Sequence, residues 1–297
     1  MAETKIEWAD FTFNPWVGCS KVSLACAHCY AEGWAKRSGL VEWGNSAKRR
    51  RTSEANWRKP LTWNKEAKKA GERWSVFCAS LADVFEDREE LEPWREELFE
   101  LIEQTPNLNW LLLTKRPENL ERMLPWTAAH AGEYRERYWP HVWIGVTVEN
   151  QEMADKRIPA LLNVPAAVRF LSVEPLLGPI QIGVSFIGGS FALYDYGVPG
   201  SRFHWVIVGG ESGPNSRPMQ REWVDSLVEQ CGAAGVPVFV KQLGAAFSDP
   251  ENGIAGRSLK VPADAGLLIS RRLADPKGGN MDEWPAGLGI RQFPVTA

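Results

Sequence analysis

The sequence predicts an α/β fold, a partial parallel (β/α)6-7 barrel carrying a basic insertion and an irregular C-terminal tail. Two observations make the prediction. Apolar runs of strand length alternate with amphipathic stretches of helix length six or seven times between Thr12 and Gln242, the alternation that builds a parallel sheet with covering helices. Each run also stops at polar residues, as strands buried on both faces do where their loops begin. A third observation sets the limit: after Gly244 the alternation fades. Residues 1–244 are therefore read as the barrel, with the insertion at 44–69, and residues 245–297 as an extension packed on it.

Thr12 to Val17 reads as the first strand and Ala27 to Arg37 as a helix closed by Gly39. Residues 44–69 hold Lys/Arg clusters, Trp57, Pro60 and Trp63 with little apolar periodicity, and read as a long loop. Trp74 to Ala79 is a buried strand. Leu91, Trp94, Leu98, Leu101 and Ile102 then recur at helical spacing, with acids on the other face. Strands follow at Asn109 to Leu113, His141 to Val146, Val168 to Val173, His204 to Val208 and Val236 to Val240. Helices lie between them at Glu118 to Leu124, Gln151 to Leu162 and Gln220 to Ala234. Gly183 to Gly200 reads as a hairpin or flap, Gly266 to Ser270 as one more strand, and Asp275 to Ala297 as coil.

Composition excludes several classes. With 297 residues, 44% hydrophobic and 24% charged, the chain can bury a large core. No run of about eighteen apolar residues exists, so no membrane helix is expected, and the N-terminus lacks an apolar signal core. Five cysteines, three of them clustered, do not make a disulfide framework, and a reducing cytoplasm is expected. Fifteen tryptophans either pack the core or line a groove for flat bases. The net charge of −3 argues against a uniformly basic coat, yet charge is uneven. Lys48 to Lys69 has nine Lys/Arg against two acids (9 − 2 = +7), and Asp83 to Glu103 has ten acids against two arginines (2 − 10 = −8). The two segments face each other or solvent. As a phosphate-facing arm, the first would use Arg49, Arg50 and Arg51.

The chemistry concentrates at Cys19, Cys26 and Cys29, spaced C-x6-C-x2-C at the start of the first helix. Two thiolates three apart can grip one metal centre while the six-residue loop brings the third round. Three thiolates suit an iron–sulfur cluster with one open iron. Zinc completed by His28 or a remote ligand, and reduced spectator thiols, are the alternatives. Because chemistry in parallel barrels gathers where strands stop, the other candidates are Ser80, Asp83, Thr114, Lys115, Arg116, Thr147, Glu149, Glu174, Gly209, Gly210, Glu211, Lys241 and Gln242. Gly209-Gly210 reads as a tight turn able to cradle a phosphate. Cys231 sits at core spacing and reads as packing.

The blocks Ile6-Glu7-Trp8, Asn14-Pro15, Gly18-Cys19, Cys26-x-x-Cys29-Tyr30-Ala31-Glu32, Leu113 to Pro117, Phe170 to Gly178 and Val208 to Gly213 resemble a phage-associated three-cysteine-motif family. That family is similar in outline to radical S-adenosylmethionine (SAM) enzymes, though their usual spacing is C-x3-C-x2-C with an aromatic residue where this chain has His28. The resemblance implies a 4Fe-4S cluster on Cys19, Cys26 and Cys29, SAM at the open iron beside Tyr30, Ser80, Asp83, Thr114, Lys115, Glu174, Gly209, Gly210 and Glu211, and an external electron donor. The substrate implied is DNA or a nucleotide, met by Arg49, Arg50, Arg51, Arg116, Glu149, Lys241 and Gln242; a partner protein is compatible with it. Cys78-Ala79-Ser80 with Thr114-Lys115 also resembles the arrangement in spore photoproduct lyases. That likeness implies Ser80 and Lys115 on the SAM carboxylate and Cys78 as a hydrogen-atom donor; packing is the plainer account of Cys78. A nucleic-acid-binding module stapled by metal, and a metal-free hydrolase or lyase using Glu174, Glu211 and Lys241, are the rival readings.

Overall fold

The computed structural model describes residues 4–127, 139–182, 184–187, 190–193, 202–213, 215–260 and 268–295. In chain order, strands β1 (Phe11–Phe13), β2 (Trp16–Val17) and β3 (Arg50–Arg51) precede β4 (Trp74–Cys78), β5 (Leu108–Thr114), β6 (Val142–Thr147) and β7 (Val168–Val173). They are followed by β8 (Val184–Ile187), β9 (Ser190–Leu193), β10 (Trp205–Gly209), β11 (Met219–Gln220), β12 (Val238–Gln242), β13 (Phe247–Asp249), β14 (Ile254–Ala255) and β15 (Arg271–Arg272). Seven of them form one sheet in the order β1-β4-β5-β6-β7-β10-β12. Its neighbours pair in parallel, as in Phe77 with Leu111 and Ile207 with Phe239. The order simply follows the sequence, with no reversal of the kind that marks a doubly wound sheet, so the α/β partial barrel expected from the alternation is the class observed. No helix is long and apolar enough to cross a membrane among the described residues.

The chain divides into two compact units, Met1–Val146 with Asn163–Arg169, and Thr147–Leu162 with Phe170–Ala297. In the first, α1 (Tyr30–Ser38) ends at Gly39 in the left-handed region, φ 64°, as its sequence signal requires. The expected strand from Thr12 to Val17 is broken in two. Pro15 has no amide to give, and Asn14 leaves the ladder to accept the Leu81 amide at 2.7 Å on its side chain.

The long loop expected at 44–69 is instead structured: β3 pairs antiparallel with β2, and α2 (Glu54–Trp57) and α3 (Lys59–Ala70) follow. Ser53 caps α2 through its side chain on the Asn56 amide, Pro60 occupies the first turn of α3, and Gly71 closes it at φ 73°. What holds these helices is aromatic. Trp63 stacks on Phe11 at 4.4 Å between centroids and Trp57 meets Phe13 edge-on at 5.6 Å. All fifteen tryptophans are buried or half-buried, and the buried ones pack the core. Helix α4 (Glu92–Glu103) buries Leu98, Leu101 and Ile102, and α5 (Leu120–Met123) follows β5.

In the second unit α6 (Gln151–Leu162) and α7 (Arg221–Ala233) carry the expected helices, and β8 pairs with β9 as a hairpin. The remainder of the segment expected as a flap lies outside the described residues. Residues 245–297 belong to this unit, where β11, β13, β14 and β15 make a second sheet. The strand expected at Gly266 to Ser270 falls partly outside the described residues; Leu268 to Ser270 are not a strand, and pairing begins at Arg271.

Candidate functional site

The cysteine loop begins directly after β2, the short strand that follows β1. Gly18, at φ 115°, turns it: a Cβ there would lie 2.9 Å from Cδ of Arg49, whose stem runs beneath the loop. The Gly18 amide donates to Leu81 and the Gly44 amide to the Cys19 carbonyl. Cys26 ends a short 3-10 turn, and Cys29 stands at the N-cap of α1 with no side-chain capping bond. All three thiols are outside any disulfide; Cys26 is buried and the other two are half-buried.

Beneath Cys19 lies a buried ionic network. The Arg116 guanidinium donates to Asp83 at 2.9 Å, to the carbonyl and hydroxyl of Ser20 at 2.9 Å each, and reaches Cys19 Sγ at 3.5 Å. Glu86 accepts two bonds from Arg49 at 2.7 Å and one from the Ser20 hydroxyl at 2.5 Å. Asp83 also accepts from Thr114 Oγ1 at 2.8 Å and from the Lys115 amide at 3.1 Å. Two cations and two carboxylates thus balance inside the unit, where either sign alone would be costly. Burial pushes the Cys19 thiol up to about 12, Asp83 and Glu86 adding to the rise and Arg116 opposing it. Burial works against the charge of Arg116, but Asp83, Cys19 and Glu86 outweigh it and hold the guanidinium firmly cationic.

This geometry reassigns several expected contacts. Arg49 is not a phosphate contact: its side chain is wholly buried on Glu86. Arg51 pairs with Glu54 and Glu97 and stacks over Trp57, leaving only Arg50 of the three exposed. Arg116 faces Asp83, not solvent. The basic and acidic runs do face each other, at Arg49–Glu86, Arg51–Glu97 and the Arg49 amide with Glu90. Glu86 went unnoticed in the sequence because it sits in an acidic run that reads as a solvated helix face.

At the end of β4, Tyr30 donates its hydroxyl to the Ser80 carbonyl at 2.6 Å, and Asn14 Nδ2 donates to Ser80 Oγ at 3.0 Å. Lys115 is half-buried and makes no ion pair among the described residues. Cys78 ends β4 with 0% exposure, and burial pushes its thiol far up, so it carries its proton.

In the second unit, Glu174 and Lys241 form an ion pair at 2.5 Å, each side chain 21% exposed. Glu174 lies over Gly209, where a Cβ would come within 3.2 Å of its Cγ. The Gly210 amide donates to the Gln242 carbonyl at 2.9 Å, and Gly210 passes close to a second backbone segment. A Cβ there would sit 2.2 Å from the Leu243 carbonyl, and Gln242 Nε2 donates to the Gly210 carbonyl at 2.9 Å. Glu211 is clamped by Arg217, and Glu149 is fully buried against Arg157 at 2.9 Å. Neither arginine partner had a sequence signal, since each is fixed by chain folding back.

Among the described residues no group of three or more His, Cys, Asp or Glu is arranged to hold a metal ion. A family model described as a protein of unknown function (DUF5131) matches residues 3–281. No curated protein and no solved structure matches the chain.

Proposed function

We propose that this chain, which belongs to the DUF5131 family, is an iron–sulfur enzyme of radical-SAM type acting on DNA or a nucleotide in a reducing cytoplasm. The observation that carries the reading is the loop itself: three thiols outside any disulfide, on C-x6-C-x2-C spacing, after the first strand of a parallel sheet. The donor set, three soft sulfurs and no fourth, suits a cluster with one open iron. Gathering those sulfurs is then part of the binding event, as is common where ligation couples to folding.

On this reading Cys19, Cys26 and Cys29 hold the cluster. A cluster held there would pass one electron from an external donor to SAM, whose C–S bond would break to methionine and a carbon radical that takes hydrogen from the substrate. The protein's own work is orientation. Tyr30, Ser80 and Lys115 line the end of β4 and β5, while Thr114 and Asp83 are committed to fixing Arg116. Glu174 and Lys241 form an ion pair within the second unit. Cys78, buried and protonated, has the S–H bond that a hydrogen-atom donor requires. A metal-free lyase or hydrolase built on Glu174 and Lys241 is the second reading, favoured by their close pairing.

Anaerobic purification with iron and sulfide analysis tests the first. About four irons per chain, and 5′-deoxyadenosine after addition of SAM and a strong reductant, are the expected results. Chain that takes up no iron under reconstitution rules it out.

A further inference from the structure

With Arg49 buried and Arg51 paired, the positive charge of this region faces solvent elsewhere, on α3. Arg58, Lys59, Lys65, Lys68 and Lys69 are all exposed, and none forms an ion pair among the described residues. Their placement on the helix is ordered. Pro60, Trp63 and Ala67 form the buried face of α3. At about 100° per residue, Lys65 and Lys69 lie on the opposite side with Lys68 on the flank, and Arg58, Lys65 and Lys69 recur at i, i+7 and i+11 as one stripe. The stripe extends over about 17 Å of helix axis, enough to follow several phosphates of one strand.

Like charges at i,i+3 and i,i+4 oppose helix formation. Here Lys65 stands against Lys68 and Lys69, with no acid bonded to any of them. In a protein whose net charge is −3, an unneutralised cationic face is not a consequence of overall composition. We propose that the exposed face of α3 binds the phosphate backbone of a nucleic acid, through Arg58, Lys65, Lys68 and Lys69, without reading bases. The alternative polyanion, a lipid surface, needs apolar side chains beside the cations. α3 itself presents none: no large hydrophobic residue between Val41 and Lys260 is exposed among the described residues.

The inference rests on the nucleic-acid half of the proposed function and is independent of the cluster. It also moves the phosphate contacts from Arg49 and Arg51, which are committed to acids, to a face that composition alone had merged with them.

The test is equilibrium binding of a fluorescein-labelled DNA 20-mer, single-stranded and duplex, by anisotropy across about 50 to 200 mM salt. The full chain is compared with Lys65→Gln/Lys68→Gln/Lys69→Gln. A second triple, Lys156→Gln/Lys260→Gln/Lys277→Gln, removes the same charge from exposed positions elsewhere. The first triple should bind at least about tenfold more weakly at low salt, with a salt slope flatter by about two to three units. The second should stay near wild type. Circular dichroism checks that both remain folded. An unchanged slope in the first triple, or an equal loss in the second, overturns the proposal while leaving DNA binding in place. Absence of DNA binding by the wild-type chain overturns both it and the nucleic-acid reading, and iron uptake then judges the cluster separately. Binding to phosphatidylserine vesicles that is lost in the first triple, without DNA binding, assigns the face to lipid instead.

Discussion

Arg116 is the residue on which the cysteine loop rests. It touches Asp83, Ser20 and Cys19 at once, and Glu86 lies 3.4 Å away, so removing it leaves two carboxylates buried without half of their compensation. Arg116→Met should therefore destabilise by about 3–5 kcal/mol in denaturant unfolding, far beyond a surface arginine; a loss under about 1 kcal/mol would contradict the burial of this network. Cys78 makes a separate test. As packing alone, Cys78→Ala lowers stability and leaves chemistry intact; as a hydrogen-atom donor, it leaves 5′-deoxyadenosine formation in place while product formation collapses. Unaltered product turnover by Cys78→Ala removes the lyase-like role. The sequence marked both residues by type and by position at a strand end. It could not mark Asp83 and Glu86 as partners of Arg116, because those pairings join residues about thirty positions apart and depend on how β4 and β5 align.

Elements whose burial is periodic were legible: α6 and β7 fall at the expected residues, and β5, α4 and α7 differ only by a residue or two at their ends. The error at 44–69 has a physical origin. Trp57, Pro60, Trp63 and Ala67 do fall on one side, but lysines between them lower the apolar contrast on which periodicity depends, and the stacking of Trp63 on Phe11 supplies what propensity does not. Trp63→Ala should cost about 3–5 kcal/mol and release α3, seen as loss of amide-exchange protection there. Gly210, just after β10, carries a close passage of one backbone over another that its sequence did not announce. Gly210→Ala puts a Cβ 2.2 Å from the Leu243 carbonyl, so it should abolish folding of the second unit or cost more than about 4 kcal/mol. Gly178→Ala, with nothing within 4 Å, should change stability by less than about 1 kcal/mol. Equal effects at the two positions would show that the Gly210 passage is not required.

For the whole molecule the titrating groups fix how stability depends on pH, and they are distributed unevenly. On the acid side His141, Glu86 and Glu32 lie in the first unit and Glu283 in the second. Burial holds His141 below its ordinary 6.5. Burial works against the charge of Glu86, yet its bonds from Arg49 and Ser20 prevail and hold it below 4.5. Each folded value is depressed, so each contribution is complete above the unfolded pKa and is lost as pH falls through the folded one: His141 first, below about 6.5, then Glu86 below about 4.5. On the alkaline side both units contribute. Burial raises Cys19 in the first and Cys231 in the second from 9.0 to about 12. Above pH 9 the unfolded thiol releases its proton while the folded one keeps it, so the folded state binds more protons and stability declines until pH reaches about 12. For chain prepared without iron, urea unfolding should give a plateau near neutral to mildly alkaline pH with a fall on either side. Cys231→Ala should cost about 1 kcal/mol at pH 7 and make the alkaline fall shallower, because one of the protonated thiols is gone, while the acid limb keeps its shape. If Cys231→Ala leaves the alkaline slope unchanged, the Cys231 thiol is not held protonated by the core of the second unit.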